Sequence, residues 1–62
     1  MKFIKVKAKY AHCKDILIRL EQVLYFEEIT VEGLICIRIK FINGSVIDTT
    51  NTLREIEKML LY

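Results

Sequence analysis

The chain contains no proline and no tryptophan, only two glycines, two cysteines and one histidine, and a single serine. Each shortage removes a class of explanation. Gly33 and Gly44 stand alone, so nothing resembles a glycine-rich loop that wraps phosphates in backbone N–H groups. Ser45 sits in a predicted turn, so there is no strand-to-helix elbow presenting a hydrolase nucleophile. His12 and Cys13 are neighbours in a predicted loop and Cys36 lies far along the chain, which is one ligand short of a four-ligand structural zinc site. Two copies of the His12–Cys13 pair would supply four ligands, although a loop pair without a role is the simpler reading. A Cys13 nucleophile activated by His12 would need sequence neighbours to hydrogen-bond through their side chains, a geometry they rarely reach. With no framework of spaced cysteines, both are expected to stay reduced inside the cell.

Long apolar stretches are also missing. No uninterrupted run exceeds four residues, as in Leu34-Ile35-Cys36-Ile37, against the roughly 20 that a membrane-spanning helix needs. Lysines interrupt Met1-Lys2-Phe3-Ile4-Lys5-Val6-Lys7, which therefore lacks the apolar heart of a signal peptide. The expectation is an intracellular, cytoplasmic chain with no membrane partner.

Apolar side chain is nevertheless abundant. The 62 residues are 53% hydrophobic with mean hydropathy +0.30. A chain so short buries only about 60% of the surface that its unfolded form exposes. Small domains usually need disulfides, metal or oligomerisation to hold together, and this composition points to the last. The surplus is expected in a subunit interface, making the chain a homo-oligomer. Charge is uneven too. Lys2, Lys5, Lys7, Lys9, Lys14 and Arg19 face one acid, Asp15, in the first twenty residues. Beyond them Arg38, Lys40, Arg54 and Lys58 face Glu21, Glu27, Glu28, Glu32, Asp48, Glu55 and Glu57. Such asymmetry suits an anionic partner for the first third, or pairing between the two parts within or between subunits.

A period of two runs through most of the chain. Ile4, Val6, Ala8 and Tyr10 alternate with Lys5, Lys7 and Lys9, giving a half-buried strand followed by a loop over Ala11–Lys14. Ile16, Ile18 and Leu20 alternate with Leu17 and Arg19. Glu21-Gln22 reads as a bend or bulge before a β-rich strand from Val23 to Glu28. After a turn at Glu32-Gly33, Ile35, Ile37, Ile39 and Phe41 share a core face, with Cys36, Arg38 and Lys40 opposite. Asn43-Gly44 signals a two-residue type I′ hairpin. That register pairs Phe41 with Val46, turns Val46 to the core and sets Asp48 awkwardly against Ile39, so either a bulge resets the return strand or Asp48 sits at an open end of the sheet. Thr52-Leu53-Arg54-Glu55 is a capping box; Leu53, Ile56, Met59 and Leu60 then form one helical stripe. The reading is a single α+β domain over residues 1–62: a small antiparallel sheet or partly open barrel of about five strands with one C-terminal helix.

The candidate functional surface is basic. Lys5, Lys7 and Lys9 share a strand face, Arg38 and Lys40 share another, and Thr49, Thr50 and Asn51 precede the helix where they could add donors to a bound phosphate. Lysines on an edge strand are equally a guard against aggregation. The apolar residues expected at an interface are Phe3, Tyr10, Leu17, Tyr25, Leu34, Ile47, Leu61 and Tyr62. Glu27 and Glu28 point to opposite strand faces, so they form no acid–base pair. No catalytic residue, metal or cofactor is expected.

The segment Ile16–Leu61, with Leu20-Glu21-Gln22-Val23-Leu24-Tyr25-Phe26-Glu27, the Asn43-Gly44 hairpin and Thr52-Leu53-Arg54-Glu55-Ile56, resembles short flagellar proteins of the FlbD type. It also resembles the first half of LytTR DNA-binding domains. The shared residues are fold-forming, so the resemblance implies this order of strands, hairpin and helix. The strands and loops with which LytTR domains contact DNA follow that helix and have no counterpart here, so DNA binding is not implied. Two functions remain as expectations. The first is a non-enzymatic oligomeric interaction module, a regulator or inhibitor of another protein in the manner of small bacterial and phage accessory proteins. The second is an oligomer that binds a nucleotide or nucleic acid through its lysine and arginine faces.

Overall fold

A computed structural model of the chain describes residues 2–9 and 14–61. Strands β1 (Phe3–Lys7) and β2 (Asp15–Arg19) form an antiparallel pair, and a 3₁₀ turn at Leu20–Gln22 leads from it into β3 (Val23–Val31). Strands β4 (Leu34–Phe41) and β5 (Val46–Thr49) complete a β3-β4-β5 meander, and helix α1 (Leu53–Leu61) follows. The described residues thus make an α+β fold of five antiparallel strands in two sheets with one C-terminal helix. An Ala8–Thr49 bridge joins the sheets. Around it Lys9 N–H donates to Asp48 O (2.8 Å) and Thr50 N–H to Lys7 O (3.0 Å).

The core is built almost wholly from β-branched side chains. Ile4, Val6, Ile18, Ile37, Ile39 and Ile56 form one buried cluster, with Ile16, Phe26, Phe41, Ile47, Met59 and Leu60 among the residues packed around it. Alternation places Ile4 and Val6 inward and Lys5 and Lys7 outward, so the period-two pattern translates directly into burial. The capping box closes as its sequence implies: Thr52 N–H donates to Glu55 Oε1 (2.8 Å) and Glu55 N–H to Thr52 Oγ1 (3.1 Å). At the other end of α1 the Lys2 ammonium donates to Leu60 O (2.9 Å), placing positive charge where the helix dipole is negative.

Several boundaries differ from the sequence expectation. Strand β1 ends at Lys7, and β3 runs on to Val31. Asn43-Gly44 does not make a type I′ turn. Among the described non-glycine residues only Glu32 has a positive φ, whereas type I′ requires positive φ at both central residues. Instead Phe41 N–H donates to Ser45 O (2.9 Å) and Gly44 N–H to Phe41 O (3.0 Å). Gly44 sits at φ 94°, which makes a three-residue loop with a glycine bulge. Asn43 Oδ1 holds the loop, accepting from Ser45 N–H (2.9 Å) and Ser45 Oγ–H (2.7 Å). The extra residue shifts the return strand by one. Ile39 faces Ile47, and Arg38 faces Asp48. Val46 is therefore exposed while Ile47 packs on the core, the reverse of the expected faces. Leu20, expected to continue β2, begins the 3₁₀ turn.

Ile35 is a second correction. Alternation predicts it on the core face and Cys36 opposite, yet Ile35 is 64% exposed and Cys36 is 3% exposed. The β3–β4 hairpin outruns β5, whose partners on β4 stop at Ile37, so Ile35 extends past the core.

The type I′ geometry belongs to Glu32-Gly33, at φ 51° and 79°, closing Val31 against Leu34. Glu32 has no short side chain to favour left-handed backbone, a conformation that costs most L-residues roughly 1–2 kcal/mol. Glu32→Asn is expected to raise stability by about 0.5–1 kcal/mol, read as a higher midpoint in urea unfolding.

Candidate interaction surface

Residues opposite each other in an antiparallel pair share a face. Phe3, Lys5 and Lys7 on β1 therefore stand beside Arg19, Leu17 and Asp15 on β2. Lys7 Nζ lies 3.3 Å from Asp15 Oδ1, and Arg19 Nε lies 3.3 Å from Glu21 Oε1; all four side chains are about half exposed, so these contacts are weak. On the other sheet Arg38 grips Asp48 with two hydrogen bonds, Nε to Oδ1 at 2.7 Å and Nη2 to Oδ2 at 3.1 Å. The Asp48 side chain is only 10% exposed. The Arg38 hydrogen bond lowers its carboxyl pKa below the ordinary aspartate range against the opposing effect of burial, and the charges of Arg38 and Lys9 lower it further.

The candidate anion-binding residues do not converge on one site. Lys5 and Lys7 lie on the β1–β2 face, Arg38 and Lys40 lie on the meander, and Lys9 stands at the junction beside Asp48. Lys40 is half-buried between Tyr25 and Val46 in the register. Thr49 is fully buried, and its Oγ1 meets no hydrogen-bond partner among the described residues. Thr50 is tied to β1 by its backbone. Asn51 presents an acceptor, not a donor, to its neighbour, Oδ1 receiving Lys7 N–H at 2.8 Å. The start of α1 already holds the Glu55 carboxylate on Thr52 N–H, so an arriving anion would meet negative charge there. Burial thus takes Thr49 out of any surface site, whereas Thr50 is exposed and Asn51 half-buried.

The apolar surface is richer than the sequence suggested. Phe3, Leu17, Tyr25, Leu34 and Leu61 are exposed as expected. Ile47, expected on the outer face, is half-buried and packs against the core. Tyr10, Tyr62 and the His12–Cys13 pair lie outside the described residues. Leu24, Ile35, Ile42 and Val46 are also exposed. Leu24 falls where the β3–β4 register shifts, a bulge that alternation alone does not reveal. Among the described residues no cluster of His, Cys, Asp or Glu could hold a metal ion, and no helix is long and apolar enough to cross a membrane.

Among the described residues β2 and β3 each have one side with no neighbouring strand. On β2, Leu20 N–H donates to Lys2 O and Ala8 N–H to Lys14 O, so alternation leaves the backbone groups of Asp15, Leu17 and Arg19 facing away from β1. On β4, Phe41 N–H is committed to Ser45 on the β5 side. Lys40, Arg38 and Cys36 therefore bond to Tyr25, Glu27 and Ile29 opposite them, and Phe26, Glu28 and Thr30 direct their backbone groups outward from β3. No proline or lysine guards this edge, although both are common protections. Its charge is of one sign: Glu21, Glu27, Glu28 and Glu32 lie between Arg19 and Arg38 with no base among them.

Comparison of the chain with protein-family models, curated proteins and solved structures finds no match.

Proposed function

We propose that the chain is a non-enzymatic interaction module of the cell interior that associates with copies of itself and binds another protein as a regulator or inhibitor. The observation that carries this reading is the pairing of open strand edges with apolar side chains beside them: Leu17 on β2, and Leu24 and Tyr25 on β3, are all exposed. An open edge offers main-chain hydrogen bonds to an added strand, and flanking apolar residues give that strand something to bury against. The alternative, a binder of a nucleotide or nucleic acid, draws less support. Arg38 is engaged by Asp48, Lys7 has Asp15 within reach, and the basic side chains are divided between two sheets.

Light scattering is expected to give a mass at least twice the 7.3 kDa of one chain, and a tagged chain expressed at native level is expected to retain a specific protein. A monomer at millimolar concentration that also retains no protein overturns the reading. Tight binding of nucleotide or DNA, weakening steeply with salt, would favour the alternative.

A further inference from the structure

The two open edges differ in charge, and we propose that they pair with each other between copies, β2 of one chain lying parallel on β3 of the next. The inference rests on the self-association reading above and gives it a surface. β2 carries Arg19 and Asp15 and has Lys5 and Lys7 of β1 beside it on the same face, whereas β3 carries Glu27 and Glu28 and no base, so Arg19 and the neighbouring lysines attract the β3 edge. Two β3 edges meeting about a two-fold axis would instead bring together Glu27, Glu28 and Glu32 from both copies.

Backbone phase selects the register. In a parallel ladder, a residue whose N–H and C=O face the neighbouring strand bonds the two residues flanking its opposite number. Arg19 N–H then donates to Phe26 O of the second copy, and Arg19 O accepts from Glu28 N–H. Leu17 O accepts from Phe26 N–H. Arg19 stands beside Glu27 of the second copy and Leu17 beside its Tyr25. Leu17 is 69% and Tyr25 45% exposed in the single chain, and here they cover each other. All four side chains are on the outer faces of their own sheets, so the outer face continues across the junction. Antiparallel addition would align the outward residues of β2 with Phe26, Glu28 and Thr30, joining one copy's solvent face to the other's core face. Among the described residues Arg19 makes an exposed contact to Glu21 at 3.3 Å, weak enough to be exchanged for Glu27 of the second copy. Because the contact joins unlike surfaces, it repeats from copy to copy and gives a ring or a filament.

Charge exchange tests this pairing by light scattering, with far-UV circular dichroism verifying that each variant folds. Arg19→Glu and Glu27→Arg, each alone, are expected to reduce the assembly to monomers. Mixing the two variants in equal amounts, or combining both changes in one chain, is expected to restore the wild-type mass, because every junction again joins opposite charges. Unchanged masses for both single variants overturn the pairing and leave the interaction-module reading standing, as does failure of both the mixture and the double variant to reassemble. Loss of assembly by Glu27→Arg while Arg19→Glu is unaffected also overturns it, since that result marks a β3–β3 contact. A wild-type chain that is itself a monomer overturns the pairing, and an empty pull-down is then what separately removes the function.

Discussion

Ile56→Ala is expected to leave the chain largely unfolded at 37 °C. Ile56 is fully buried and, among the described residues, is the one helix residue in the central cluster, which it shares with β-branched side chains from both sheets. Removing most of a buried isoleucine costs about 2–5 kcal/mol, the spread reflecting how far the surroundings collapse into the cavity. A domain of this size has a total of roughly 3–9 kcal/mol at the usual stability per residue. The loss is therefore comparable to the whole. Thermal unfolding followed by circular dichroism decides the matter, with Ile56→Val as the graded companion at about 0.5–1.5 kcal/mol. A melting temperature for the alanine variant within a few degrees of wild type would mean that the helix does not close the core.

Removing the Asp48 carboxylate is expected to have the next largest effect, and the one most dependent on pH. Asp48 is nearly enclosed, while Arg38 is 41% exposed and turns to water when its partner is lost. The cost of Asp48→Ala therefore falls between that of an exposed pair, about 0.2–1 kcal/mol, and that of a buried one, about 3–5 kcal/mol. We expect about 1–3 kcal/mol. The sign of the pH dependence follows from the lowered folded-state pKa. A group whose pKa is depressed on folding contributes stability that is full above its unfolded value, about 3.9 for aspartate, and disappears as pH falls through the folded value. Wild-type stability should thus drop on acidification below about pH 4, and Asp48→Asn should be less stable at pH 7 and fall less steeply in acid. Urea unfolding at a series of pH values measures both slopes; parallel slopes would show that Arg38 does not hold the carboxylate in its charged form.

The Asp48 pair also shows where reading the chain reaches its limit. Asn43-Gly44 marks a hairpin unambiguously, but a two-residue and a three-residue loop differ by one position in register, and one position exchanges the two faces of β5. Asp48 facing Ile39 signals a conflict that either a bulge or an open sheet end would relieve. The bulge at Gly44 removes that conflict and gives Asp48 to Arg38. Leu24 became exposed by the same kind of event on β3. The candidate surface was legible in part. Phe3, Leu17 and Tyr25 stand out as apolar residues beyond the core face, whereas the dispersal of the basic residues over two sheets depends on how far apart the sheets place them.

Sequence by itself determined the order of elements, the isoleucine-rich core face and the capped start of the helix, because each is a local preference: side-chain alternation along a strand, and reciprocal hydrogen bonds within one helical turn. Only the tertiary structure decided the register of β5, the exposure of Ile35 and which strand edges stay open. Those depend on where one segment ends relative to another, and backbone groups are satisfied or left free by neighbours distant in the chain.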